Sequence, residues 1–267
     1  MRRFSGTLGL SLLFLAIRPA LAQSNTTPTR SDPQAVMLAA KAMAALTGGM
    51  TITDVTLTGT AIRRAGSDLE EGNITLEAKG TGESRLDLAT SGGARSEVRN
   101  STSGPTGFWV GLDGTKHAMA GHNCLTDAAW FFPAFSVLSQ ASSASVIATY
   151  IGQEARNGAP VQHIRFAAQF PGADAASTAV LTPLTAEDVY LDSATLLPVA
   201  ITFNTHPDND ALTNIVVEID FGNYQNAHGA AVPFKIQKLL NNSLFLDITI
   251  QSVSLNSGLS DSTFAIQ

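Results

Sequence analysis

The stretch IVVEIDFGNYQNAHGAAVPFKIQKLLNNSLFLDITIQSVSL, residues 215 to 255, decides the fold class. Ile215, Val217, Ile219 and Phe221 fall on alternate positions, as do Val232, Phe234 and Ile236. Leu246, Ile248 and Ile250 then alternate with Asp247, Thr249 and Gln251. A period of two means strands with one apolar and one wet face. Gly229 supplies a turn between two of them, and Pro233 requires a position where a ladder N–H is dispensable. The phase slips near Ser252–Val253, which predicts a β-bulge.

The same period runs back through the chain. Val55, Leu57 and Gly59 alternate with threonines; Ile74, Leu76 and Ala78 alternate with Thr75, Glu77 and Lys79. Leu86 and Leu88, then Phe108, Val110 and Leu112, continue it, and Asp113-Gly114 marks a hairpin. Further strands are expected at 146–155, 161–170, 187–192 and 198–204, with Asn157-Gly158 as a hairpin turn. Before them, Ser31-Asp32-Pro33 opens a helix carrying Val36, Met37, Ala40, Met43, Ala44 and Leu46, and Gly48-Gly49 stops it. Leu125 to Ser142 predicts a second, kinked helical segment, the most aromatic part of the chain. Pro171 to Thr185 reads as a long loop. The expected architecture is mainly β (α+β). About eleven strands form a single strongly curved antiparallel sheet, an unclosed β-barrel, with an N-terminal helix and a short aromatic helix covering its concave face.

The first 22 residues have the form of a secretory signal peptide: Arg2 and Arg3, an apolar run from Leu8 to Ile17, and Ala20-Leu21-Ala22 as the cleavage site. The expected organisation is residues 1–22 as leader, 23–30 as a flexible lead-in and 31–267 as a single domain. Cleavage after Ala22 removes three arginines, so the net charge of −6 becomes −9 in the mature chain. An acidic chain lacks the basic footprint of a nucleic-acid surface. No later run has the length of a membrane helix, so the mature chain is expected to carry no transmembrane anchor and to be periplasmic or secreted. One cysteine, Cys124, excludes an internal disulfide framework and is expected to pack as a small hydrophobe.

Chemistry-bearing patterns are scarce. Charged residues make up 14% of the chain, and no nucleophile elbow, H-E-x-x-H motif, phosphate loop or dinucleotide fingerprint is present. His117 and His122 are separated by a strand and a turn; His163 shares a strand face with Arg165 but has no named acid. His206 sits in Thr205–Asp210, read as a solvated hairpin tip, and Glu70-Glu71 reads as a solvated turn. No cofactor or metal is expected. The aromatic residues Trp109, Trp130, Phe131, Phe132 and Phe135, with Phe203 and Phe221 on the strand faces, are instead candidates to line a cavity for a greasy ligand.

In the C-terminal half, Val189-Tyr190-Leu191-Asp192, then Thr195-Leu196-Leu197-Pro198-Val199-Ala200-Ile201, resembles a strand–turn–strand of the periplasmic lipoprotein-carrier (LolA/LolB-like) superfamily. Ile219-Asp220-Phe221-Gly222-Asn223-Tyr224, Gly229 and Val232-Pro233-Phe234-Lys235-Ile236 resemble its next unit, and Leu259-Ser260-Asp261 followed by Phe264 resembles its closing motif. The resemblance implies an unclosed barrel with a helical lid and an apolar concavity for acyl chains. Relative to the carriers, extra length falls in the Gly/Ser-rich 90–107 region and at 171–185. Arg63, Arg85 and Arg165 are candidates for a lid-contacting arginine. The function expected is an exported, non-enzymatic binding protein whose partner is a lipid or acylated protein. The alternatives are a module that binds or senses an envelope protein and, last, a hydrolase using His117, His122 or His163.

Overall fold

The structure is a computed structural model that describes residues 30–126 and 135–266. The expected leader and nearly all of the lead-in lie outside the described residues. So do Trp130, Phe131, Phe132 and the side chain of Phe135.

Thirteen strands form one antiparallel sheet. In chain order they are β1 Asp54–Ala65, β2 Asp68–Lys79, β3 Glu83–Thr90, β4 Gly93–Asn100, β5 Thr106–Val110, β6 Lys116–Ala118 and β7 Val146–Arg156. Then come β8 Ala159–Ala168, β9 Glu187–Asp192, β10 Pro198–Thr205, β11 Ile215–Ala227, β12 Ala230–Leu240 and β13 Ser243–Leu255. Two hairpin meanders, β1 to β6 and β7 to β13, join where β1 pairs with β13. The edges are therefore β6 and β7, and the sheet does not close.

One face, the inner one, carries the core. Leu57, Leu76, Leu88, Ile164, Ile219 and Ile248 are almost fully buried on it. Helix α1 (Pro33–Thr47) lies against this face and touches both β12 and the edge strand β7, five strands away, so the sheet curls around it. Its buried stripe is mostly alanine: Ala35, Ala39 and Ala42 with Leu38 and Leu46. Small side chains let the helix sit close to the strands. Asp32 caps the helix by accepting from Gln34 N–H at 2.8 Å, and Pro33 fills the first turn. Asp32 N–H also donates to Ala148 O at 2.8 Å, and Ser31 Oγ bonds both Val146 O and Ala148 N–H. These contacts cover part of the β7 edge, where unpaired groups would otherwise be open to another strand.

The predicted bulge is present, with Gln251 as the extra residue between Thr58↔Ser252 and Gly59↔Ile250. Pairing of β12 with β13 stops at Lys235, leaving Pro233 beyond the ladder. The Asp192 turn is as expected: its carboxylate accepts from Ala194 N–H, Thr195 N–H and Thr195 Oγ–H.

One expectation is corrected. The 171–185 segment is not a loop: Ala175–Leu184 is a helix, α3, capped by Asp174, whose side chain accepts from Ser177 N–H at 2.7 Å. Its largely exposed sides and Pro183 near its end hide the helical period. The Gly/Ser-rich 90–107 region is not featureless. It contains β4, whose side chains alternate in charge rather than in hydrophobicity.

Gly48 ends α1 with φ 60°, and a Cβ built there would overlap the carbonyl oxygen of Gly229 in the β11–β12 turn. Gly49 also has a positive φ, 82°, but nothing lies near it. Gly49→Ala should thus lose about 1 kcal/mol for the left-handed backbone. Gly48→Ala should lose about 2 kcal/mol or more. Urea midpoints of the two variants measure the difference, and equal midpoints would mean that α1 does not depend on this close approach.

Candidate functional site

Because β6 and β7 are the two edges yet consecutive in sequence, the chain between them runs from one edge of the sheet to the other. This crossing begins with a 3-10 turn, Gly121–Cys124, and ends in a short helix, α2 (Phe135–Ser139), packed on α1. Asn123 pins the turn to the β10–β11 loop. Its Oδ1 accepts from His206 N–H at 2.8 Å and Thr205 Oγ–H at 3.0 Å, and its Nδ2 donates to His206 O at 2.8 Å. His122 Nε2–H donates to Pro207 O at 3.1 Å, and its ring meets the His206 ring edge-on at 5.7 Å. His206 is buried, so the expected solvated tip is confined to Asp208 and Asn209. Cys124 is buried beneath this turn, and burial pushes its thiol pKa up.

Arg99 of β4 supports the turn from below, donating to Asn123 O at 3.0 Å and Thr126 O at 3.3 Å. Arg99 therefore holds the described start of the crossing segment. Arg85 and Arg165 lie on the outer face, paired with Asp87 and Asp188. Arg63 lies on the inner face, away from the turn and paired with Glu70.

Next to Arg99 a cavity of about 300 Å³ opens on the inner face. Its apolar wall is Leu86, Leu88, Trp109, Phe245 and Leu246; its charged wall is Arg63, Arg95, Glu97 and Lys238. The size is at the lower end for small-ligand pockets. Phe245 reaches it through a second bulge: Leu244 faces Leu239 and Leu246 faces Lys238, leaving Phe245 without a partner on β12. Strict alternation would have sent this ring outward. The Arg63 guanidinium sits over the Phe245 ring, 5.0 Å from its centre. Trp109 stacks on His117 at 4.0 Å between ring centres.

Glu70 is the hub of the charged wall. It accepts from Arg95 Nε at 2.7 Å, Arg95 Nη2 at 2.8 Å and Arg63 Nη1 at 2.8 Å, and its side chain is 14% exposed. Hydrogen bonds from Arg95, then the charges of both arginines, hold its pKa below the usual value against burial. The solvated turn expected at Glu70-Glu71 is thus corrected: both residues lie on β2, and Glu70 faces inward. Burial opposes ionisation of Glu97, but the charges of Arg99 and Lys238 outweigh it and lower its pKa. Burial lowers the pKa of Lys238, with Glu97 opposing.

Of the expected aromatic residues, Trp109 lines this cavity. Phe203 and Phe221 point inward but are 7% and 6% exposed, packed into the core beside α1. The sequence reading missed Arg63, Arg95, Glu97, Lys238 and Phe245 as cavity residues. The signal available was the spacing Arg95-x-Glu97-x-Arg99, three charges on one strand face.

A second charged cluster lies on the outer face of β7–β11. The acid missing beside His163 is Asp188 of β9, which accepts from His163 Nε2 at 2.8 Å and from both Arg165 Nε and Nη2 at 2.8 Å. Tyr190 packs on His163 at 4.4 Å, Arg156 lies over Tyr190, and Arg156 pairs with Glu218. Beside it, burial and the Glu218 carboxylate raise the pKa of Asp220 to about 6. Among the described residues the polar partners of the His163 imidazole are carboxylates, Asp188 and Glu154. No group of His, Cys, Asp and Glu among the described residues is arranged to hold a metal ion. No helix among them is long and apolar enough to cross a membrane.

The arrangement of an incompletely closed sheet, an inner helix and a crossing segment has solved counterparts. A domain from Vibrio parahaemolyticus, described as outer membrane lipoprotein-sorting, superposes with a TM-score of 0.54 at 13% identity, covering 86% of this chain and 95% of that one. A DUF1329 family protein from Desulfovibrio piger gives 0.56 at 12% identity, covering 89% and 98%. A LolA superfamily protein from Nitrosomonas europaea gives 0.53 at 11% identity, covering 87% and 97%. No family model matches the chain, and no curated protein matches its sequence. The chain shares the fold of these solved proteins, an antiparallel half-barrel that does not close.

Two outcomes follow. Asn123→Ala removes three hydrogen bonds and should cost about 2 kcal/mol, with faster amide exchange at 121–126 than in the parent. Asp220 has a raised pKa, so its protonation stabilises the fold fully below pH 3.8, and this is lost as pH rises through about 6. Asp220→Asn should accordingly gain about 1 to 2 kcal/mol over the parent above pH 6, after discounting for solvent contact. The gain should fade towards pH 4 in urea titrations run at each pH. A constant difference across that range would assign the effect to packing.

Proposed function

We propose that this chain is an exported, non-enzymatic binding protein of lipid-carrier type, which holds an acyl chain in the inner-face cavity. The cavity itself carries this reading: about 300 Å³ of space walled by Leu86, Leu88, Leu246, Phe245 and Trp109. Trp109, 39% exposed, is the reachable aromatic surface. A 12-carbon chain offers of order 10 kcal/mol at ~0.8 kcal/mol per methylene, before association losses. Micromolar binding needs only about 8 kcal/mol. The likeness to lipoprotein-sorting and LolA-type folds supports the same reading.

Delipidated protein should take up a fluorescent fatty acid saturably, with micromolar or tighter affinity. Trp109→Ala should weaken uptake about three- to tenfold through lost apolar contact. Native mass spectrometry of protein from its own host should show a co-purifying lipid. Absence of saturable uptake by well-folded, delipidated protein would remove this reading.

A further inference from the structure

We propose that the outer face carries a second binding site, beneath α3, for an uncharged saccharide unit. This goes beyond the acyl-chain reading and does not rest on it. A cavity of about 460 Å³ opens on that face, larger than the inner one. The ladders set its floor in two rows. Arg165, Asp188 and Thr202 stand opposite one another on β8, β9 and β10. One step along the same face lie Ala167, Asn204 and Val216, the last two paired across β10 and β11. Thr182 and Pro183 of α3 form the roof. Leu184 is the one buried residue of α3, so the helix adds little to the core; what it does is close this cavity. Its end is fixed for that. Thr185 Oγ accepts from Ala168 N–H of β8 at 2.9 Å and donates to Thr182 O at 3.0 Å. The floor is fixed as well. Asp188 accepts from Arg165 Nε and Nη2 and from His163 Nε2, each at 2.8 Å, and His163 is itself buried.

The chemistry of these groups narrows the ligand. Arg165 and Asp188 compensate each other, so a bare ion finds no surplus charge on this floor. A hydrocarbon would cover the Asn204 amide and the Thr182 hydroxyl, and neither side chain hydrogen-bonds to another described residue. Both would then be buried unpaired, which opposes binding. A guanidinium has five N–H donors, of which Asp188 takes two from Arg165. A sugar answers each feature. Every hydroxyl both donates and accepts, and a neighbouring pair of hydroxyls spans a planar guanidinium or amide. The C–H face of the ring packs on Ala167, Pro183 and Val216. Because Asp188 and Thr185 hold floor and roof in place, the ligand meets groups already oriented. The volume lies within the range of small-molecule sites.

The experiment follows backbone amide shifts of the isotope-labelled protein during titration with maltose, lactose, N,N′-diacetylchitobiose and sodium acetate, at about 20 mM and about 500 mM NaCl. At least one sugar should give saturable shifts centred on residues 165–167, 182–188, 202–204 and 216, with millimolar affinity that salt leaves unchanged. Asn204→Ala and Thr182→Val should each weaken that sugar about fivefold, the worth of one hydrogen bond. The titrations of the unaltered chain stand even if a variant fails to fold. Three results would each overturn the proposal: no saturable shift with any sugar at about 50 mM, shifts centred elsewhere, or shifts at this site with acetate alone. None of them touches the acyl-chain reading, which is tested by fatty-acid uptake.

Discussion

A sheet whose two edge strands are consecutive in the chain obliges the connection between them to cross from one edge to the other. That constraint organises this protein. β6 and β7 lie at opposite ends of a thirteen-strand order, so the chain must pass from one edge to the other between them. The described parts of this connection are pinned at both ends. Asn123 and His122 fasten it to the β10–β11 loop, and α2 packs on α1. The inner face is then divided. Under α1 it is a dry core of alanine, leucine and isoleucine; over β1, β3, β4, β5, β12 and β13 it opens into a cavity.

The cavity survives because the polarity of the sheet is reversed there. On β4 the inward side chains are Arg95, Glu97 and Arg99, and the outward ones include Ser96 and buried Val98. The chain end makes this possible. The 3-10 turn Asp261–Phe264 packs over the outer face of β3 and β4, and Phe264 is fully buried. Asn100 and Arg85 donate to the carbonyls of Phe264 and Thr263, and Asp54 accepts from Ser257 N–H and Gly258 N–H to lead the tail there. With the outer face of β3 and β4 covered by the tail, the inner face is free to carry charge. Charges that fill space imperfectly and repel apolar packing keep a cavity open where leucines would have closed it.

This arrangement explains which parts were legible beforehand. The helix over 33–47, its caps, the long C-terminal strands, the Gln251 bulge and the Asp192 turn were readable because each is written in local periodicity or turn chemistry. Strand β4 and helix α3 were missed because neither has the apolar period that a half-buried element normally shows. Missing β4 meant missing Arg95 and Glu97, and reading Glu70 as a turn residue hid the group that orients two arginines. Phe245 was invisible because one unpaired residue in β13 reverses the face on which it stands.

The sequence by itself determined an antiparallel half-barrel with an apolar inner face and an N-terminal helix against it. Alternation and capping are properties of near neighbours, and they act before any long-range contact forms. Tertiary structure alone decided which charges meet. Glu70, Arg95 and Lys238 come from strands far apart in the chain, and His163 finds Asp188 only through the β8–β9 register. A charge carries no periodic mark of its partner. Its pairing depends on sheet curvature, bulges and the covering of the opposite face, all of which are set by the whole fold.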